Sequence, residues 1–462
     1  MIKKLSVVMA IALLAIVLTT NAFAMPPKPG LYDTKTGLSK TTGDPLPQKL
    51  PEIKKPVTKV IKTKDLGTTK ATNVKKTKTR AIVILVQFSD NRADTVNHTP
   101  KDYKELLFSK NKYPTGSLRD YYYEISYHKF VIKGKVTDWY TVNQSYNYYV
   151  NNFYGWGEYP NNAQKLVEDA VKMADKDIDF SEYDNDGDGY VDALFVVHAG
   201  PGAEETGSSG DIWSHAWNTI EPIPVDGVYV YTYTMEPEEH ADGNLISIGV
   251  FAHEYGHVLG LPDLYDLDFS SAGIGVYGLM SYGAWGADGY SPYRPTHMCA
   301  WSKIQLGWIT PKVVTNNLKK QVIHNIEKKP EVYKLWTNGN PENEYFLVSN
   351  RQPIGFDDQL NGSGLLIWHI DESVSTQNNN ESHKLVDLEE ADGLNQLDLP
   401  IDLVNRTAYL GDAGDFFNRA NNPTFNGTSN PNSDDYNGTD THVSVTKISQ
   451  SKKNMKADLN VR

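Results

Sequence analysis

The sequence predicts an α/β (α+β) catalytic domain, with a mixed sheet and a buried central helix, followed by a β-rich C-terminal region. Three observations carry this. The apolar runs Ala81–Phe88 and Val191–His198 have the length and β-branched content of buried strands, and helical periodicity lies between them. A third apolar run, Leu245–Ala252, leads without a break into His253-Glu254-Tyr255-Gly256-His257, the string of a metal-binding helix. Beyond residue 312 the helical signal fades and short strand-like runs replace it.

Residues 1–24 read as a signal peptide: Lys3 and Lys4, an apolar stretch from Leu5 to Leu18, and the small-residue cleavage site Ala22-Phe23-Ala24. That stretch is too short for a membrane span, and no later run reaches the ~18 apolar residues a span needs. The expectation is an exported, extracellular protein with no membrane span. The single cysteine, Cys299, allows no internal disulfide and reads as a buried small residue.

Residues 25–80 are rich in Lys, Thr and Pro and poor in large apolar side chains, which predicts a basic leader, either propeptide or linker. Their net charge is +10 and that of residues 1–24 is +2, which leaves −24 on residues 81–462 of a total of −12. So acidic a body repels nucleic acid and anionic membrane, and attracts its own basic leader. The expectation is a propeptide removed near Arg80, with Asp44 as the carboxylate that blocks the metal.

The body, residues 81–311, continues with helices over Pro100–Phe108 and Ser117–Tyr122, a strand over Lys129–Val136 and an amphipathic helix over Asn162–Ala174. In residues 312–462, strands are expected at Val332–Trp336, Tyr345–Val348, Gly364–Trp368, Val443–Ile448 and Met455–Val461, with an Asn-rich loop over 418–440.

The chemistry concentrates at 253–263. His253 and His257 lie about one helical turn apart, so both imidazoles leave the same face and can hold a Zn²⁺ ion. Glu254 sits beside the first of them, placed to accept a proton from an attacking water. Gly260 lets the chain leave the helix, and Asp263 returns as a third ligand, with Asp266 as a residue that orients one. In Gly278-Leu279-Met280-Ser281-Tyr282, Met280 is expected beneath the metal as an apolar floor.

A second metal site is written in Asp184-Asn185-Asp186-Gly187-Asp188-Gly189-Tyr190-Val191-Asp192. Asp184, Asp186, Asp188 and Asp192 offer carboxylates at calcium-loop spacing, Tyr190 its carbonyl, and Gly187 the sharp turn. Phe195 stands where the usual bidentate Glu would be, so this is a calcium-loop-like turn entering a strand, with a structural role.

Together these residues resemble the immune inhibitor A family of secreted zinc metallopeptidases, in the metzincin group. The resemblance rests on His253-Glu254-x-x-His257-x-x-Gly260-Leu261-Pro262-Asp263-x-Tyr265-Asp266 and is supported by the strand Val83–Asp90, the acidic loop, Ile212-Trp213-Ser214-His215 and the Met-turn at 278–282. It implies an endopeptidase made as a proenzyme, holding zinc and calcium and acting as a monomer on protein or peptide substrates. It also implies that Tyr282 approaches the zinc and helps stabilise the oxyanion. The competing reading is a non-catalytic, calcium-stabilised surface-binding module on a peptidase fold; an intact Glu254 beside two ligands argues against it.

Overall fold

A computed structural model of the chain describes residues 23–33, 36–47, 77–399 and 409–462. The expected signal peptide up to residue 22 and the leader segment 48–76 lie outside the described residues.

The N-terminal segment contributes β1 (Phe23–Ala24) and a small antiparallel pair, β2 (Tyr32–Asp33) and β3 (Leu38–Ser39). The body begins at β4 (Thr77–Gln87), earlier than the boundary expected at 81. Thr77–Arg80 already pair in parallel with Phe130–Lys133 of β5 (Phe130–Thr141). Arg80 is further tied by its N–H to Asn185 Oδ1 (2.7 Å) and by its carbonyl to Asn185 Nδ2 (3.0 Å). The expected nicking point therefore sits inside a strand, not in a free linker, and backbone engaged in a sheet is a poor protease substrate.

Between β4 and β5 come α1 (Pro100–Phe108) and α2 (Leu118–Ile125). Each starts on a reciprocal cap, Thr99 with Asp102 and Ser117 with Asp120. Next follow α3 (Tyr146–Val150), α4 (Ala163–Ala174, capped by Asn162), β6 (Leu194–Pro201), α5 (Ala203–Thr206), the hairpin β7 (His215–Val225) and β8 (Val228–Glu239), α6 (Ile248–Val258) and α7 (Ala300–Gln305). The main sheet has the order β1-β7-β8-β6-β4-β5. β5, β4, β6 and β8 run parallel, and β7 is antiparallel to β8, so the sheet is mixed.

Side chains alternate across this sheet. Val83, Leu85, Phe195 and Val197 face the layer that holds α6; Ile82, Ile84, Val86, Leu194 and Val196 face α4, whose buried stripe is Leu166, Val167, Ala170, Val171 and Ala174. The whole is a mixed α/β body with α6 on one side of the sheet.

The C-terminal region builds a five-stranded sheet from β9 (Lys312–Val313), β11 (Tyr333–Leu335), β12 (Glu344–Arg351), β13 (Gly364–Asp371) and β14 (Val386–Glu389). A three-stranded sheet comprises β10 (Leu318–His324), β15 (Ser444–Thr446) and β16 (Asn454–Asn460). One face of the larger sheet joins the smaller in a core of its own. The other face sends Tyr345, Leu347, Leu366, Trp368 and Ile370 into the same apolar cluster as Phe251, Tyr255 and Met280. The two halves thus share a core. No helix among the described residues is long and apolar enough to cross a membrane.

Candidate active site

α6 is buried on every side from Ile248 to His257, as an all-apolar entry such as Ile248-Gly249-Val250-Phe251-Ala252 requires. It stops in a two-bond cap: Gly260 N–H reaches His257 O (2.8 Å) and Leu261 N–H reaches Gly256 O (3.1 Å), with Gly260 at φ +98°. This turn swings Asp263 back over the helix.

His253 Nε2, His257 Nε2 and Asp263 Oδ1 converge. The two nitrogens lie 3.1 Å apart, and the carboxylate oxygen is 3.1 Å from the first and 3.2 Å from the second. Each imidazole uses its other nitrogen to donate, His253 Nδ1 to Leu279 O (3.0 Å) and His257 Nδ1 to Leu261 O (2.8 Å). In neutral rings this leaves both Nε2 atoms as bare lone pairs. Burial lowers the His257 pKa and so favours that neutral form. Burial alone would raise the Asp263 carboxyl, but the facing His257 and His253 hold it below the usual range. Three acceptors within hydrogen-bonding distance and no proton between them is the donor set of a cation, and the mix of two imidazoles and a carboxylate fits zinc.

Glu254 is fully buried, and neither of its oxygens has a hydrogen-bond partner. Burial, then the charge of Asp263, then Glu236, push its pKa well up. Glu236, on β8, is a second buried carboxyl with both oxygens unpartnered, and burial raises it likewise. Nothing in its local spacing marks Glu236 in the sequence.

Met280 lies under the helix as expected: a Cβ added at Gly256 would stand 2.4 Å from its Sδ. The loop carrying Asp263 is pinned to that floor by Leu264 N–H on Met280 O (2.7 Å). Asp266 does not reach the histidines. Its carboxylate takes Asp268 N–H, Ser270 Oγ and Ser271 N–H, and so shapes its own loop. Tyr282 is also set back. Its ring is 6.3 Å from that of Tyr265, and it lines a small cavity with Pro27, Lys28, Pro29, Tyr32, Leu46 and Phe269. The tyrosine hydroxyl beside His253 is that of Tyr265.

The cleft is filled by the chain's own N-terminal segment. Phe23 and Ala24 pair antiparallel with Ala216 and His215 on the outer edge of β7. Ala24 O lies 3.1 Å from His253 Nε2 and accepts from Tyr265 Oη at 2.8 Å. Met25 N–H bonds Ser214 O (3.3 Å), and Trp213 and Trp285 donate their indole N–H groups to Met25 O (2.7 Å) and Pro26 O (2.9 Å). Asp44, expected at the metal, instead accepts Ser209 N–H (2.8 Å) farther along the rim; main-chain atoms face the histidines in its place.

At the acidic loop, oxygens of Asp184, Asp186 and Asp192 lie within 4.8 Å of one another. Asp188 caps Tyr190 N–H (2.9 Å) within the turn, and Tyr190 is held against Tyr229 of β8. Burial and the charges of Asp186 and Asp188 raise Asp192 to about 6, the strain a bound cation would relieve. His215 bonds Trp213 O and Tyr233 Oη, and His369 lies between Glu344 and Glu389. His98 meets Glu238 (3.0 Å) and Glu239 (3.8 Å), a grouping no local spacing announces.

Residues 67–309 match the immune inhibitor A peptidase M6 catalytic domain. Immune inhibitor A of Bacillus thuringiensis subsp. alesti is 32% identical over 266 residues, covering 47% of this chain and 38% of that protein. The pre-pro-metalloprotease PrtV of Vibrio cholerae serotype O1 (strain M66-2) is 31% identical over 314 residues, covering 56% of this chain and 32% of that protein. The chain thus spans well under half the length of these curated relatives.

Proposed function

The chain belongs to the immune inhibitor A peptidase M6 family, and from that premise we propose that it is a secreted zinc endopeptidase of metzincin type, made as a proenzyme, that hydrolyses peptide bonds in proteins. The observation that carries the reading is the convergence of His253 Nε2, His257 Nε2 and Asp263 Oδ1, with both Nδ1 atoms engaged by main-chain carbonyls.

His253, His257 and Asp263 would hold a zinc ion, which would supply Lewis acidity toward the scissile carbonyl and the attacking water. Glu254, dry and unpartnered, takes the proton from the attacking water and passes it to the leaving amine. Leu279 O and Leu261 O fix which ring nitrogens face the metal. The free edge of β7 lays the substrate out as an added antiparallel strand, as it now does with Phe23–Ala24.

In the proenzyme, once the expected signal peptide 1–24 is removed, residues 25–33 and 36–47 cover this cleft, and activation follows cleavage in the segment 48–76 rather than at Arg80, which the sheet protects. Calcium at Asp184, Asp186 and Asp192, with Asp188 shaping the turn and Tyr190 offering its carbonyl, fastens the start of β6. The protein acts as a monomer.

The test is casein hydrolysis by the processed secreted protein, beside Glu254→Gln, with zinc measured on both. Cleavage that the variant loses while retaining its zinc establishes the reading. A folded, zinc-loaded wild type that cleaves nothing points instead to a binding module.

A further inference from the structure

We infer that Tyr265, rather than Tyr282, is the catalytic tyrosine that stabilises the carbonyl oxygen during hydrolysis; the inference rests on the peptidase reading above. In the full chain the Ala24–Met25 peptide, the bond at which the expected signal peptide ends, shows where a carbonyl sits in this cleft. Ala24 O is held by Tyr265 Oη at 2.8 Å and lies 3.1 Å from His253 Nε2. In the neutral ring that nitrogen is a bare lone pair, because Nδ1 donates to Leu279 O. A carbonyl oxygen against a bare imidazole lone pair is repulsive unless a cation offsets it, so the approach of Ala24 O to His253 suits a site that would hold one.

The rest of the peptide is laid out as a substrate would be. Its backbone runs antiparallel to the edge strand β7, in the register Ala24 opposite His215. The Met25 N–H is on the Ser214 side, bonded at 3.3 Å, and also faces the Glu254 carboxyl. The oxygen that gains charge thus meets Tyr265, and the nitrogen that gains a proton meets Glu254. Water adds its oxygen to the carbonyl carbon, its proton moves to Glu254 and then to the amine, and the C–N bond breaks. Tyr265 keeps its own proton throughout and contributes a hydrogen bond that strengthens as the oxygen becomes negative.

Tyr265 is built for this. It is fully buried, and its ring stacks on Phe269 with centroids 5.8 Å apart and planes 14° apart. Its loop is anchored two ways: Leu264 N–H to Met280 O, and Asn378 Nδ2 to Leu264 O at 2.9 Å. Tyr282 lines a small cavity with Pro27, Lys28 and Phe269, and the hydrogen bond to Ala24 O comes from Tyr265 instead.

The experiment measures kcat, KM, zinc content and inhibition by a phosphinic peptide for the processed protein and its Tyr265→Phe, Tyr282→Phe and Glu254→Gln variants. Tyr265→Phe should lower kcat by ~10²–10³ with KM within roughly threefold and zinc unchanged. The phosphinic peptide, whose charged tetrahedral phosphorus mimics the reacting carbon, should weaken by a similar factor. Tyr282→Phe should stay near wild type. If Tyr265→Phe loses zinc or melts early, Tyr265→His, which restores a donor, should recover part of kcat; no recovery overturns the assignment. So does a Tyr265→Phe variant within about twofold of wild-type kcat, or a loss confined to Tyr282→Phe. Glu254→Gln with full activity would remove the peptidase reading itself.

Discussion

Met280 Sδ rests against Gly256, the residue between the two candidate zinc histidines, so closely that a Cβ there would come within 2.4 Å of it. Glycine at this place lets the Met-turn rise to the helix and brings Leu279 O within reach of His253. Gly256→Ala should force Met280 down and misalign His253. We expect a loss of about 1–3 kcal/mol in stability and weaker zinc retention, read from thermal unfolding and from zinc released to a chelator. A variant as stable and as zinc-tight as wild type would show that the floor does not position the metal site.

The C-terminal region should be inseparable from the site. Arg351 of β12 is buried with Asp357, which its Nε and Nη2 reach at 2.5 and 2.8 Å. It also donates to Tyr277 O (3.0 Å), just before the Met-turn, and to His297 O (3.1 Å). Arg351→Met strands Asp357 without its partner and should cost about 3–5 kcal/mol, measured by denaturant unfolding. Truncation after residue 311, which bares the apolar face of Leu347, Leu366 and Trp368, should give an insoluble or molten product.

Calcium dependence should follow acid titration. Asp192 is raised to about 6 in the fold, chiefly by burial and then by its acidic neighbours, against an ordinary value near 3.9. A raised carboxyl costs stability above its folded pKa, and that cost fades as pH falls through 6. Without calcium the loop should therefore firm up slightly on mild acidification. With calcium, protons compete, so the melting-temperature gain from adding the ion should be large at pH 8 and small at pH 5. A gain equal at both values would place calcium elsewhere.

His369 should make the C-terminal sheet weaken in alkali. Burial alone would lower its pKa, but hydrogen bonds to Glu344 and Glu389 outweigh that and raise it to about 9. The stabilisation is complete below about pH 6.5 and disappears as pH rises through 9, at most about 3 kcal/mol. His369→Gln should unfold with a flatter pH dependence between 6.5 and 10; an unchanged slope would assign the effect to another group.

Much of this was legible in the sequence because it is local. The helix over 100–108, the amphipathic helix ending at Ala174, the His253–Asp263 motif and the turn at Met280 depend on residues a few positions apart, and each appears close to where its spacing predicts. What escaped is made by distance. β7, with Pro222 and Pro224 and broken alternation, does not read as a strand until β8 pairs with it. Glu236 and the His98–Glu238–Glu239 group are brought in by the sheet, and the occupant of the cleft comes from more than 200 residues upstream. Tyr265 was in view, inside the motif, but only the Ala24 carbonyl shows what its hydroxyl faces.

The pairing of Phe23–Ala24 with the edge of β7 has a consequence for what can be cut. An edge strand grips the backbone, which every sequence has, and can do so only where about three or more residues lie fully stretched out. A tightly folded protein has few such stretches. Selection would therefore act on shape before composition, favouring loose tails, long loops and partly unfolded chains. The rate at which a folded target is destroyed would then follow how often it opens, not how many suitable residues it carries.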